Sequence, residues 1–249
     1  MAICLAPTLV YAQAQTELKP PPPLPPEEGR KVAKQLIANL LTQKPTANAT
    51  NTGFLIIRDK KRQLRQVPVQ IEVVATATNF LSVYRTADGG PEGMELTVVH
   101  PDDRPNAYEV RQPPDAAQGK RLAGAQLLTP FAGSDFWATD LGLEFLHWPQ
   151  QRVMKKEMRH SVFCDVLESI DPQPLPGGYA RVVSWIGANH PDETVVVHAD
   201  AYDARGKLLK EFDPKKLEKV NGAWQLQEME MRNIQTGSKT AFQFKLTEE

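Results

Sequence analysis

The sequence predicts a mainly β protein of the α+β kind, a single curved antiparallel sheet with helices laid against it. Three observations carry this. From residue 53 onward, apolar residues recur with period two through a series of short runs. No crossover helices separate these runs, so neighbouring strands join by hairpins and pair antiparallel. One apolar, helix-like stretch, G-S-D-F-W-A-T-D-L-G-L-E-F-L-H-W at residues 133–148, stands alone in mid-chain and needs a surface on which to bury its aromatic side chains.

The bulk composition is that of an ordinary globular chain: 249 residues, 41% hydrophobic and 24% charged. A formal net charge of −1 argues against a nucleic-acid partner, which calls for a basic face, and against a polybasic membrane anchor. Beyond the first residues, no segment approaches the roughly 18 continuous apolar residues that span a bilayer.

Residues 3–10 form an apolar run broken by Pro7, and Ala12-Gln13-Ala14 is a small-x-small cleavage pattern. Residues 1–14 therefore read as the remnant of a secretory signal peptide that lacks its basic beginning. Cys4 is not in a lipidation context, and its removal would leave Cys164 as a solitary, buried strand thiol. Residues 15–26 read as a linker, since residues 20–26 hold six prolines in seven positions and favour extended polyproline II. A single domain is expected over residues 27–249.

That domain opens with a helix at about residues 27–43. Val32, Leu36, Ile37, Leu40 and Leu41 make its apolar stripe, with Arg30, Lys31, Lys34 and Asn39 turned away. Glu27 and Glu28 suit the positive end of the helix dipole, and Lys44-Pro45 ends it. Residues 46–52 read as a polar loop. Strands are then expected at 54–58, 67–78, 80–86, 94–100 and 108–112. The clearest, V-P-V-Q-I-E-V-V-A-T-A-T, places Val67, Val69, Ile71 and Val73 on one face and Gln70 and Glu72 on the other. Pro113-Pro114-Asp115 opens an irregular centre that leads to residues 133–148. In that stretch Ser134 or Asp135 is positioned to cap a helix, and Leu141, Phe145 and Trp148 would share one helical face.

Strand rhythm returns at 153–169, one long run whose charged first half points to an edge position. Strands at 179–187 and 195–202 follow, the latter with Val195, Val197, Ala199 and Ala201 opposing Val196, His198, Asp200 and Tyr202. Asp203-Ala204-Arg205-Gly206 is a turn, and Asn221-Gly222 is a two-residue hairpin signal between runs 208–220 and 223–232. In the second of these runs Met229 and Met231 lie opposite Glu228, Glu230 and Arg232, and the switch of apolar side predicts a bulge near Gln227. A last strand at 240–246 places Phe242, Phe244 and Leu246 together.

The C-terminal pattern, A-Y-D-A-R-G-K-L-L-K-E-F through V-N-G-A-W-Q-L-Q-E-M-E-M-R-N-I-Q-T-G-S-K-T, resembles the final hairpins of the outer-membrane lipoprotein-sorting family, the periplasmic LolA-like carriers. G-S-D-F-W-A-T-D-L resembles the short helix those proteins carry between their two sets of strands, and the N-terminal helix followed by strand pairs matches in order. The resemblance implies an incomplete, half-open antiparallel β-barrel of about ten strands with helices on its concave side. It also implies a periplasmic location in a Gram-negative-type bacterium and an apolar cavity that shields the acyl chains of lipid or lipoprotein. Relatives usually run on to one more strand beyond Glu249.

Such a cavity makes physical sense, because moving a lipid through water means hiding its chains at about 0.8 kcal/mol per CH₂. The expected cavity and lid residues are Phe136, Trp137, Leu141, Phe145 and Trp148 from a movable central helix, Val197 and Ala199 from one strand, and Met229 and Met231, whose flexible thioethers suit an irregular ligand. Chemistry is poorly supported: the five histidines are scattered, no metal-site, redox or nucleophile-elbow motif occurs, and His198-Ala-Asp200 reads as a polar pair on a sheet face. No catalytic residue, metal ligand or cofactor is expected. Two function classes remain, a non-enzymatic carrier of acyl chains and an envelope protein that keeps the fold, fills the cavity and binds a protein partner.

Overall fold

The computed structural model describes residues 21–45, 47–86, 93–102, 104–113, 117–190, 193–220 and 223–245. The signal-like residues 1–14, the Asn221-Gly222 turn and Leu246 lie outside them. Helix α1 (Pro26–Thr42) is followed by β1 (Ala49–Arg58), β2 (Leu64–Ala75), β3 (Asn79–Thr86), β4 (Glu95–Pro101), β5 (Ala107–Arg111) and β6 (Lys120–Arg121). An irregular central segment contains the single α-helical turn α2 (Ala138–Leu141). Then come β7 (Gln150–Arg159), β8 (Val162–Ile170), β9 (Arg181–His190), β10 (Glu193–Tyr202), β11 (Leu208–Val220), β12 (Ala223–Asn233) and β13 (Lys239–Lys245).

All thirteen strands belong to one antiparallel sheet in the order β6-β5-β4-β3-β2-β1-β13-β12-β11-β10-β9-β8-β7. The first strand pairs with the last, Leu55 opposite Phe242, so the two halves of the chain join at β1–β13. The two outer strands, β6 and β7, do not pair with each other, and the sheet is an open barrel. Alternation decides which residues go inside: Leu55, Ile57, Val69, Ile71, Leu96, Val98 and Phe242 are all buried on the face that carries the helices. Strand β1 begins at Ala49, extending into the expected loop, because pairing with β2 runs back to Ala49 opposite Val73.

Two strands go beyond the runs read from the sequence: the short β6, and a second strand from the run 153–169, which is a hairpin. Arg159 pairs with Val162 across His160 and Ser161, whose φ values of 48° and 63° make a tight left-handed turn without Gly or Asn. Strand β7 is the sheet edge, as its charge pattern predicted. It is partly covered, since the Leu24 N–H before α1 donates to the Met154 carbonyl at 2.8 Å. Lys216 opposes Glu228 and Leu217 opposes Leu226, which leaves Gln227 as the extra residue of a bulge. Val220 opposes Ala223 across a two-residue connection.

Helix α1 packs against the β7 side through Val32, Ala33, Leu36, Ile37 and Leu40. Gly29 is what lets it come so close: a Cβ there would sit 2.4 Å from the Val153 carbonyl oxygen. Leu41 departs from the expected stripe and is 41% exposed.

Candidate functional site

Residues 133–148 do not form the continuous helix the sequence predicts. The chain from Phe131 folds as a 3₁₀ turn (Phe131–Gly133), α2 and a second 3₁₀ turn (Glu144–His147). The break is Leu143, whose φ of 48° is left-handed, so Leu141, Phe145 and Trp148 do not share one helical face. Ser134 and Asp135 do not cap α2. The Trp137 N–H is held instead by the Asp140 carboxylate at 2.8 Å.

An irregular segment leaves backbone groups without helical partners, and side chains from the surrounding strands supply them. Arg65 donates to the Ala132 carbonyl (2.6 Å), Asn106 to that of Gly142 (2.7 Å), and Gln151 to those of Leu146 and Trp148 (2.8 and 2.9 Å). Thr240 Oγ1 accepts from the Asp135 N–H and donates to its carboxylate, both at 2.9 Å, while the Ser238 hydroxyl donates to the other carboxylate oxygen at 2.6 Å. The Tyr108 hydroxyl donates to Glu144 at 2.7 Å, and burial raises the pKa of both groups.

Lys210 of β11 is the deepest of these ties. Its side chain is 2% exposed; Nζ donates to the Asp135 carbonyl at 2.6 Å, pairs with Asp140 at 3.1 Å and lies 3.4 Å from the Trp137 ring centroid. Trp137 stacks in turn on Tyr179 at 4.8 Å. Burial pulls the ammonium pKa down, against the pull of Asp140 and Asp135 upward. Sequence reading missed Lys210 because its partners are about 70 residues away; a lysine among inward-facing strand positions is the only local sign.

These ties hold the segment against the barrel wall as a plug. Phe136 and Leu141 are packed with Phe131 and Phe242 in one core cluster, and Phe145 and Leu146 with α1 and β7–β10 in a second. Ala199 joins that second cluster; Met231 and, half-buried, Met229 belong to the first. Val197 is on the opposite face. The β9–β10 register shifts between Val196 and His198, a bulge that turns Val197 toward Cys164, Val166, Val183 and Trp185 while Ala199 faces the helices. Where Ala199, Met231, Lys210, Tyr179 and Phe145 converge beneath the plug, the void is only about 30 Å³, roughly one water.

The large opening lies elsewhere. A cleft of about 1120 Å³ runs between α1 and the ends of β3 and β4, along the open seam of the barrel. Its apolar lining includes Ile37, Leu40, Leu41, Phe80, Leu143, Leu146 and Trp148, with Leu141 and Ile170. Of the expected site residues only Leu141 and Trp148 line it. His100 stacks on Phe80 at 4.2 Å and hydrogen-bonds Ser82 at 3.1 Å; burial lowers its pKa to about 4, and burial lowers that of His147 as well. Both are therefore neutral at pH 7.

On the far face, His198 sits between Asp213 (2.5 Å) and Asp200 (2.9 Å) and against the edge of Trp185. Among the described residues, no group of three or more His, Cys, Asp or Glu is placed to hold a metal, and no helix is long and apolar enough to cross a membrane.

The architecture is shared with known structures. A domain from Vibrio parahaemolyticus assigned by name to outer membrane lipoprotein sorting superposes with a TM-score of 0.70 at 19% identity, covering 88% of this chain and 91% of that one. A DUF1329 family protein from Desulfovibrio piger gives 0.68 at 18%, covering 89% and 91%. A LolA superfamily protein from Nitrosomonas europaea gives 0.59 at 14%, covering 86% and 91%. At these identities the likeness establishes the fold, a LolA-like open barrel. No curated protein matches the sequence significantly. The model of a family described as "Uncharacterized protein" matches residues 113–248, more than half of the chain, and the chain belongs to that family.

Proposed function

We propose that the protein is a non-enzymatic carrier of lipid or lipoprotein acyl chains in the bacterial envelope, and that it holds them in the seam cleft instead of beneath the plug. The observation that supports this is the cleft itself: about 1120 Å³ with an aliphatic and aromatic floor, slightly larger than the roughly 300–1000 Å³ of small-molecule sites. Burying about ten methylene groups there would contribute roughly 8 kcal/mol before the costs of association. The lipoprotein-sorting and LolA-superfamily names of the structural relatives agree with this reading. In it, residues 1–14 are a leader, 15–26 a spacer and 27–249 one exported, periplasmic domain.

Mass spectrometry of organic extracts of the protein, purified from envelope fractions, is the test. Acyl lipid is expected from the natural chain and much less from a Leu41→Asp variant, whose substituted side chain is already 41% exposed. Extracts repeatedly free of lipid, with no binding of an apolar dye, would sink the reading. One observation favours the alternative, an envelope interaction protein with a filled interior: the void beneath the plug is only about 30 Å³.

A further inference from the structure

Helix α1 presents one face to the sheet and another to the seam cleft. Gly29, Val32, Ala33, Leu36 and Leu40 recur at helical spacing against the sheet. Beside them, Arg30, Lys34 and Leu41 face the seam cleft together with Ile37, which borders both the core and the cleft, and Lys44 joins them from just beyond the end of the helix. This stripe mixes cations with aliphatic side chains, and its leucine, Leu41, is among the few large apolar side chains exposed among the described residues.

The cleft is also electrically unlike the chain as a whole. The sequence has a net charge of −1, yet the lining holds five cationic side chains, Arg30, Lys34, Lys44, Arg104 and Arg152, against two carboxylates, Asp102 and Glu168. Both carboxylates are taken: Asp102 pairs with Lys44 at 2.6 Å, and Glu168 with Arg152 at 2.7 Å and Arg181 at 3.2 Å. Arg30 pairs with Glu27 of its own helix. Lys34 and Arg104, both exposed, have no ion pair among the described residues.

From this charge pattern, and resting on the acyl-carrier reading above, we infer that the cleft selects an amphiphile with an anionic head. The chain lies over Ile37, Leu41, Leu143, Leu146 and Trp148, and the head is neutralised by Lys34 and Arg104. A zwitterionic head would bring its own cation into this excess of positive charge, and an uncharged one would leave both side chains unmatched.

The test compares lysophosphatidylglycerol with lysophosphatidylcholine of the same chain length, titrated calorimetrically into the full chain. At low salt the anionic lipid should bind about tenfold more tightly, the effect of two exposed ion pairs. The ratio should shrink as salt rises. In a Lys34→Gln, Arg104→Gln double variant it should fall to near one, and Leu41→Asp should weaken both lipids. Equal binding of the two lipids by the natural chain, or selectivity that survives the double substitution, would overturn the head-group inference and leave the carrier reading standing. If neither lipid binds, the carrier reading falls with it.

Discussion

Lys210 offers the sharpest test of how the plug is held. Its ammonium, 2% exposed, pairs at 3.1 Å with an Asp140 side chain that is 6% exposed, and it also holds the Asp135 carbonyl. Lys210→Met keeps most of the side-chain length but leaves the Asp140 carboxylate in the interior with no cation, beside the Trp137 N–H and the buried Tyr179 hydroxyl. Breaking a buried pair in this way costs about 3–5 kcal/mol. For a chain of this size that corresponds to a fall in melting temperature of roughly 6–20 °C. Adding Asp140→Asn, which retains an acceptor for Trp137 and removes the stranded charge, should recover more than half of the loss. The double-mutant cycle should then give a coupling of at least about 2 kcal/mol. Urea unfolding followed by tryptophan fluorescence reads all four proteins, with Trp137 as a local reporter 3.4 Å from the ammonium. A loss below about 1 kcal/mol for Lys210→Met, or strictly additive single variants, would refute the latch and reopen the case for a mobile segment.

Three further outcomes follow from the same geometry. Gly29→Ala, ordinarily helix-stabilising, should instead destabilise by about 1–3 kcal/mol, because the new Cβ meets the Val153 carbonyl; a raised melting temperature would show that α1 sits off the sheet. Phe136→Ala removes a 1% exposed ring that packs edge-on against Phe242, with centroids 5.4 Å apart; it should cost about 3–5 kcal/mol of stability in denaturant melts, while lipid affinity changes little in whatever fraction remains folded. The third concerns pH. Burial alone would lower the His198 pKa, but hydrogen bonds and charge from Asp200 and Asp213 outweigh it and leave the pKa raised, while the Asp213 carboxyl, for which burial works the other way, is held below its ordinary value by His198. The histidine's contribution to stability is therefore complete below its unfolded pKa of about 6.5 and is lost as pH rises through the folded value. The aspartate's contribution is present above its unfolded pKa of about 3.9 and is lost in acid. A His198→Gln variant should show a flatter stability–pH curve above about pH 6.5 than the natural chain; parallel curves would mean that the pairs do not persist in solution.

Much of the sheet was readable because a strand with one buried face records that fact every second residue. Val69 and Ile71, Leu96 and Val98, and Met229 against Glu230 all fall where alternation puts them, and the bulge at Gln227 shows as a change of phase. The misreadings have local causes. His160-Ser161 turns the chain with two positive-φ residues that carry no turn signature, so a hairpin looked like one long strand. Val197 falls at a bulge in a run where apolar residues occupy both phases, so nothing in the residues marks which side it takes. Residues 133–148 have a helix's composition, but Leu143 is left-handed there, and the tertiary ties of the plug compensate for that strain.

Strand type and hairpin pairing are thus mostly local, set by periodicity and turn chemistry, whereas the β1–β13 pairing joins opposite ends of the chain. Position of the opening is not local either. The space under the plug is filled because Lys210, Asp140, Trp137 and Tyr179 meet there from distant parts of the chain. The cleft lies where α1, the edge strand β7 and the ends of β3 and β4 come near one another without closing, each ordinary by itself. Burial pattern is written into neighbouring residues, whereas a cavity is the gap left between residues that are neighbours only in space. The sequence alone therefore determined the wall, and the tertiary packing decided where the hollow lies and which charges look into it.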